Sequence, residues 1–329
     1  MALSKFLDPK CDLTFRRVFG TEKNKNILIH FINDILGLTS EYAIQDVEFL
    51  ATIMVPEIAS DKQSIVDILC KDSTGRRFVV EMQVARDKSF QQRAQLYAAQ
   101  AYSRQLDKSG NYVDLKTVYF IAVSNCNLFL EDVGYISTHN IREIRTNGHY
   151  LKDLQFIFIE LPKFSKTKVE ELENTVERWC YFFKYAEDTT EEDLKKIAEQ
   201  APVIKLAYDE IDRFGWKEKD LVAYEERILS VKKEEAIWAQ RIDDAKDQGR
   251  LEGIHIGEEK GRLEGKEEGI KIGAERGIQI GEEKGRKARE IEVAKNLLKA
   301  NVSIDIISQT TGLPISEIKK LQKHKDFSG

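Results

Sequence analysis

The chain has 329 residues with 51 Lys and Arg against 56 Asp and Glu, a formal net charge of −5: enough for one sizeable core plus accessory segments, and too acidic in sum for a wholly basic nucleic-acid coat. Residues 1–165 are balanced, with 20 basic and 20 acidic side chains, so a nucleic-acid role for the first half is not excluded. No stretch approaches about 18 uncharged apolar residues and nothing resembles a signal peptide, which predicts a soluble, cytoplasmic protein without membrane contact; Cys11, Cys70, Cys126 and Cys180 are too dispersed for a zinc site or a disulfide framework and read as buried, reduced thiols.

In chain order, Asp12 is placed to cap a helix that starts near Leu13, with Phe15, Val18 and Phe19 on one face and Gly20 as its stop. Residues 24–36 (NKNILIHFINDIL) predict a second amphipathic helix ending at Gly37. His30 within it reads as a packed side chain rather than a ligand. Residues 47–55 (VEFLATIMV) are strand-like and lead through Pro56 to a β-hairpin over residues 64–84, SIVDILCKDSTGRRFVVEMQV, whose turn is Asp72-Ser73-Thr74-Gly75.

A turn centred near Thr74 puts Asp67 directly opposite Glu81, with Cβ atoms roughly 5 Å apart. Two like charges in that position are destabilising unless something neutralises them. A divalent cation does so: carboxylate oxygens are the hard ligands that Mg²⁺ prefers, and few protein ligands leave positions for water and phosphate oxygens. Gln83, two residues beyond Glu81, projects from the same face. The alternative is a hairpin with a wet polar face. Against it, Ile65, Val66, Ile68, Leu69, Phe78, Val79 and Val80 are nearly continuous, the pattern of strands buried on both sides.

Beyond the hairpin, residues 89–107 have helical periodicity through Phe90, Ala94, Tyr97, Ala101 and Leu106. Arg93 and Tyr97 share a face of this helix; Arg93 contacts a phosphate or the carboxylates, or is an ordinary surface arginine. Residues 117–123 (TVYFIAV) and 156–161 (FIFIEL) predict two more buried strands, which makes a mixed sheet with flanking helices, an α/β architecture. From Val169 the pattern is helical, over residues 170–184, 191–203 and 220–247, with Trp179, Phe182, Phe183 and Tyr185 as packing residues rather than a base-stacking platform.

Ten of the 19 glycines recur every four residues from Gly249 to Gly285. Each costs a helix roughly 1 kcal/mol relative to Ala, yet the residues between them are strong helix formers. A spacing above 3.6 winds the glycine stripe slowly round the axis and favours a right-handed crossing with a partner helix. The segment therefore reads as a self-association element, with a partly disordered charged linker as the alternative. Residues 289–300, 304–309 and 315–322 predict three short helices with a turn at Thr310-Thr311-Gly312, similar to a helix-turn-helix that can enter a DNA groove. Lys319, Lys320, Lys323 and Lys325 supply positive charge there, and contact with DNA and packing against a second copy both stay open.

Asp67, the hairpin turn and Glu81-x-Gln83 resemble the core of the PD-(D/E)XK nuclease superfamily, with Gln where Lys is usual. More closely, the chain resembles the bacterial Rpn family of recombination-promoting, transposase-like nucleases. The further matching blocks are Pro9-Lys10-Cys11-Asp12-x-x-Phe15-Arg16-x-x-Phe19-Gly20, Arg93-Ala94-x-x-Tyr97-x-x-x-x-Tyr102-Ser103-x-Gln105-Leu106 and Leu115-Lys116-Thr117-Val118. The resemblance covers residues 5–165 and extends to the tail; Val66 stands where a Pro would precede the Asp.

This resemblance implies a restriction-endonuclease-like α/β core, a mixed central sheet flanked by helices, followed by an all-helical C-terminal region. The domains would be a nuclease domain over 1–165, a helical region over 166–247, the glycine repeat over 248–288 and a helix-turn-helix-like tail over 289–325. It implies a metal-dependent DNA endonuclease linked to recombination, mobile elements or defence. Asp67, Glu81 and the backbone carbonyl of Met82 would hold Mg²⁺, with Mn²⁺ as a substitute, while Gln83 orients water but brings no charge, so that the enzyme is slow or tightly regulated. Asp12, Arg93 and Tyr97 would lie beside the carboxylates or on DNA phosphates. The partners are DNA and a second copy, by default a dimer, joined through the glycine ladder. The alternative is an inactive relic that works as an oligomeric DNA-binding or scaffold protein; RNA is a third substrate class that these residues do not separate from DNA.

Overall fold

In the computed structural model, which describes residues 4–54, 64–85, 87–106 and 110–323, the chain divides into two units, Met1–Ile237 and Trp238–Gly329. The strands are Val47–Phe49 (β1), Ile53–Met54 (β2), Ser64–Ile65 (β3), Ile68–Asp72 (β4), Arg77–Gln83 (β5), Val118–Ser124 (β6), Ile136–Ile141 (β7) and Leu151–Glu160 (β8). They form a six-stranded sheet in the order β1-β4-β5-β6-β8-β7 and a separate β2-β3 pair. β5, β6 and β8 run parallel, while β1, β4 and β7 are added antiparallel. The sheet is thus mixed and flanked by helices. The strand expected over 47–55 is two short strands; Val55 and Pro56 lie outside the described residues. β7 (ISTHNI) has no apolar alternation to announce it, and it stands at the sheet edge beside β8 alone.

The helices of the first unit are Asp12–Phe19 (α1), Lys25–Leu36 (α2), Phe90–Ser103 (α3), Thr175–Tyr185 (α4), Glu191–Gln200 (α5), Pro202–Glu210 (α6) and the start of Glu218–Lys299 (α7). Strand alternation sends Ile68, Cys70, Phe78, Val80 and Met82 into one core with α1, α2, α4 and α6. Leu69 and Val79 point into the other, where α3 lies over Phe120 and Phe158. In the first core Phe19 meets Phe31, Trp179 and Phe183 at ring-centroid distances of 5.1, 5.8 and 5.7 Å. The Trp179 indole N–H donates to Asp34 at 2.8 Å, which satisfies a polar group that burial would otherwise strand. Trp179, Phe182 and Phe183 are packing residues, and the expected boundary at residue 165 does not divide this core, because α4 and α6 close the same face as β5 and β6.

Several local readings are corrected. The residue preceding α1 is Cys11, with no side-chain cap; Asp12 is the first helical residue, accepting from the Leu13 N–H at 3.0 Å and from Arg227 Nε at 3.1 Å, where its charge complements the free N–H groups of the first turn. His30 is exposed, because Ile27, Leu28, Phe31 and Ile32 carry the buried face of α2. That helix stops at Gly37, whose φ of 64° is left-handed. α3 ends at Ser103, and Asp107 lies outside the described residues. Pro202 splits the helix expected over 191–203 into α5 and α6, since it has no N–H to give and biases Ala201 away from the helical region. Cys11, Cys70 and Cys180 are buried and Cys126 is half-buried; burial pushes Cys11 up to about 11.

In the second unit α7 stays helical through the glycine ladder, and a Cβ at any of its ten glycines would meet no atom within 4 Å. The chain ends in Ile304–Thr311 (α8) and Ile315–Lys323 (α9). Ala294 and Leu298 of α7, Ile307 of α8, Leu313 between the last two helices and Ile318 of α9 share a small core. Thr310 and Thr311, expected in a turn, belong to α8, and Gly312 (φ 73°) ends it. Lys319, Lys320 and Lys323 are exposed, and Lys325 lies outside the described residues. No helix among the described residues is long and apolar enough to cross a membrane.

Truncating Phe183 removes a ring packed on Phe15, Phe19, Phe31 and Phe182. Phe183→Ala therefore costs about 3–5 kcal/mol, read as a lowered urea midpoint for the first unit. A midpoint close to that of the unaltered protein would contradict this account of the core.

Candidate active site

β4 and β5 pair Ile68 with Val80 and Lys71 with Arg77. One residue further along the same register, Asp67 stands opposite Glu81. The Asp67 N–H donates to Glu81 Oε1 at 2.9 Å, and the Met82 N–H donates to Asp67 Oδ2 at 3.0 Å. Each carboxylate is thus held by a main-chain N–H of the opposite strand. Alternation carries Glu81 and Gln83 to the α3 face with Val79, while the Met82 side chain enters the other core. Glu81 and Gln83 are buried at 6% and 8% exposure, and Asp67 is half-buried at the bend before β4.

Burial, and after it the charge of Asp67, pushes the Glu81 carboxyl up to about 8. The Asp67 N–H and the charges of Arg93 and Arg16 pull the other way without restoring the usual value. Folding therefore favours the protonated form of Glu81 more than an ordinary carboxyl would allow. Two cations serve the cluster. Arg16, half-exposed on α1, donates from Nη2 to Asp67 Oδ1 at 3.1 Å. Arg93, on α3, donates from Nη2 to Gln83 Oε1 at 2.6 Å and from Nη1 to Asp87 Oδ2 at 3.1 Å, with its guanidinium 5.1 Å from the centre of the Phe90 ring. Gln83 Nε2 donates to the Ala85 carbonyl, so both ends of this carboxamide are engaged. Tyr97, one turn beyond Arg93, is buried, and burial raises its phenol above the ordinary value.

The structure thus brings together Asp67, Glu81, the Met82 main chain, Gln83, Arg93 and Tyr97. It does not bring Asp12 to them: that carboxylate is bonded to Leu13 and Arg227, and the side chain that α1 sends to the pair is Arg16, one turn on. Arg16 and Asp87 were not singled out from the sequence. Arg16 lies inside the block from Pro9 to Gly20, but only the tertiary fold shows which carboxylate it meets.

Two carboxylates and a main-chain segment are hard oxygen donors, and the upward shift of Glu81 marks a place short of positive charge. Both features fit a divalent cation. Among the described residues no three His, Cys, Asp or Glu side chains converge as a metal cage, so an ion here would complete its shell with main-chain, water or substrate oxygens.

A family model described as PD-(D/E)XK nuclease family transposase matches residues 9–238. No curated protein and no solved structure matches the chain.

The raised Glu81 value fixes a sign. The folded state favours protonated Glu81, so its contribution to stability is complete below the ordinary value of 4.5 and is lost as pH rises through about 8. Glu81→Gln is neutral throughout. In EDTA, the Tm of the unaltered protein should fall below that of Glu81→Gln as pH rises from about 6 to about 9, and Mg²⁺ should recover the former alone. A difference in Tm that does not change with pH would show that Glu81 is not held protonated.

Proposed function

Because the chain belongs to the PD-(D/E)XK nuclease family of transposases, we propose that it is a metal-dependent DNA endonuclease. It hydrolyses phosphodiester bonds at the Asp67–Glu81 pair and serves recombination, mobile elements or defence. The observation that carries this reading is the carboxylate pair itself, packed side by side where apolar residues would be more stable unless a cation is to be bound.

In this reading Asp67, Glu81 and the Met82 carbonyl hold Mg²⁺ or Mn²⁺. A divalent ion bound there would polarise the scissile phosphate and lower the pKa of a water. To serve as a ligand Glu81 would release its proton to solvent. Arg16, which offsets the charge of Asp67 in the free protein, has an exposed guanidinium that can turn to a substrate phosphate. Arg93 fixes Gln83, which orients water by hydrogen bonding but has no charge to offer and no acidic proton at neutral pH. Hydrolysis is accordingly slow or dependent on a trigger. Engagement of Gln83 by Arg93 and Ala85 favours a second reading, an inactive relic that binds DNA as an oligomer.

Self-association is assigned to the glycine ladder in either case. Its open glycines let a second helix approach closely, and a spacing of four turns the stripe by about 40° per step, so that a partner crosses it with right-handed geometry. In this reading the exposed lysines of α9 meet DNA phosphates, with packing of the tail against a second copy as the alternative.

Purified protein should nick supercoiled plasmid with Mg²⁺ or Mn²⁺ and lose this activity in EDTA. Asp67→Ala should lower the rate roughly 100-fold or more, the scale on which loss of one transition-state-stabilising group acts. Folded protein that leaves plasmid intact would sink the endonuclease reading and leave the relic. Replacing Gly261, Gly265 and Gly269 together by Ala should raise helicity while shifting the sedimenting species towards monomer; an unchanged mass would remove the ladder from the interface.

A further inference from the structure

Glu81 and Gln83 lie beneath one flank of α3, and the opposite flank covers a different concavity. Arg93 and Tyr97 fall on one side of this helix while Gln91 and Gln95, each two residues away in sequence, fall on the other. Gln91 and Gln95 join Phe129, His139, Phe156 and Phe158 around a cavity of about 270 Å³. β7 pairs on β8 with His139 opposite Phe156 and Ser137 opposite Phe158, so the pleat sends this row of rings to the face that α3 covers. Phe129 follows β6, its ring centroid 4.7 Å from His139 and 5.1 Å from Phe158. Burial holds the His139 imidazole below its ordinary value, and Nε2 lies 3.0 Å from Ser137 Oγ.

None of the residues lining this cavity is charged. Beside the His139 imidazole and Asn140 it holds two carboxamides with a fixed sense: Gln91 Nε2 donates to the Leu128 carbonyl at 3.1 Å and Gln95 Nε2 to the Gln91 carbonyl at 3.2 Å. Each therefore keeps Oε1 as the acceptor for an incoming donor. Flat aromatic walls, neutral acceptors and a volume just below the range of drug-sized pockets, about 300–1,000 Å³, suit a flat, uncharged heterocycle that carries an amino group.

We propose that this cavity takes one unstacked nucleobase with an exocyclic amino group, presented by a strand of the nucleic acid that the carboxylate pair cleaves. The proposal deepens the nuclease reading and rests on it only for the source of the base. Stacking on rings supplies affinity for any base. The two glutamine oxygens prefer cytosine, adenine or guanine, which offer an exocyclic amino group, to thymine, whose single donor, N3–H, is flanked by two carbonyl oxygens. A strand, rather than a free base, is indicated by the β7–β8 hairpin. Arg142 donates from Nε to Asn140 Oδ1 at 2.8 Å and from Nη1 to the Asn147 carbonyl at 3.1 Å, and Asn140 lines the cavity. Arg142, Arg145 and Lys152 are exposed on this hairpin, where flanking phosphates can be met. Its one exposed acid between them, Glu143, is turned to the N–H groups of Arg145 and Thr146 at 3.1 and 2.6 Å.

The test uses the full chain in EDTA, so that cleavage plays no part, with single-stranded oligo-dC carrying one 5-iododeoxycytidine. Irradiation should leave an adduct on Phe129, His139 or Phe156, mapped by mass spectrometry. By fluorescence anisotropy oligo-dC and oligo-dA should bind more tightly than oligo-dT, and His139→Ala should weaken oligo-dC binding roughly 10-fold, the scale of one lost stacking partner. Gln95→Ala, at an exposed position where the fold is not at stake, should erase the preference over oligo-dT. Displacement of the oligonucleotide by excess dCMP would assign the cavity to free nucleotides, and resistance to dCMP would assign it to a strand. An adduct confined to other residues, no adduct, or unchanged binding by both variants would overturn the base site. Asp67-dependent plasmid nicking is measured separately, so the nuclease reading can stand or fall without it.

Discussion

The arrangement of the first unit depends on one buried carboxylate, that of Asp72. It is 6% exposed, and its Oδ1 accepts from the Thr74 N–H, the Thr74 hydroxyl and the Arg76 N–H at 3.0, 2.7 and 2.9 Å, while Oδ2 accepts from Arg76 Nε at 2.6 Å. Gly75 supplies the left-handed residue of the turn, with φ of 87°. This network sets the pairing of β4 with β5. A slip of one residue would turn every side chain of one strand to the other face, and Asp67 would then face Val80 or Met82 instead of Glu81. The carboxylate pair, the division between the two cores and the side of the sheet that α3 covers all follow from it.

Much of this was legible because the determinants are local. The turn residues, the apolar runs on both sides of them and the glycine after α2 each act within a few residues, so the hairpin register and the end of α2 could be read from the sequence. The rings of α4 could be assigned to packing because their helical spacing makes one broad apolar face. Other features were decided at a distance. Whether Asp12 caps a helix or meets Arg227 depends on a residue 215 positions away in sequence. His30 stands among apolar neighbours yet faces solvent, because helical geometry separates it from residues adjacent in the chain. β7 has the composition of a loop and becomes a strand through the free edge that β8 offers. Arg16 could be placed in a matching block but not on Asp67.

The candidate site is short of positive charge. One carboxyl is pushed towards its neutral form by burial and by its neighbour, and the other is met by a half-exposed arginine. Folding therefore leaves a proton and a guanidinium where a divalent ion would offset the same charge. The raised Glu81 carboxyl and the Arg16 guanidinium on Asp67 serve one electrostatic role, the role that a divalent ion would take over if one bound there.

The repeat of four in α7 has a geometric consequence of its own. An α-helix advances about 1.5 Å and 100° per residue, so one added or deleted four-residue unit moves the three-helix tail by about 6 Å along the axis and about 40° around it. Nine units, or 36 residues, make ten whole turns and restore the azimuth. Gly249 and Gly285 are separated by that number of residues and so point the same way. The ladder is in effect a vernier: changes in copy number reset the direction in which the lysines of α9 point, in steps that any single insertion of four residues can supply.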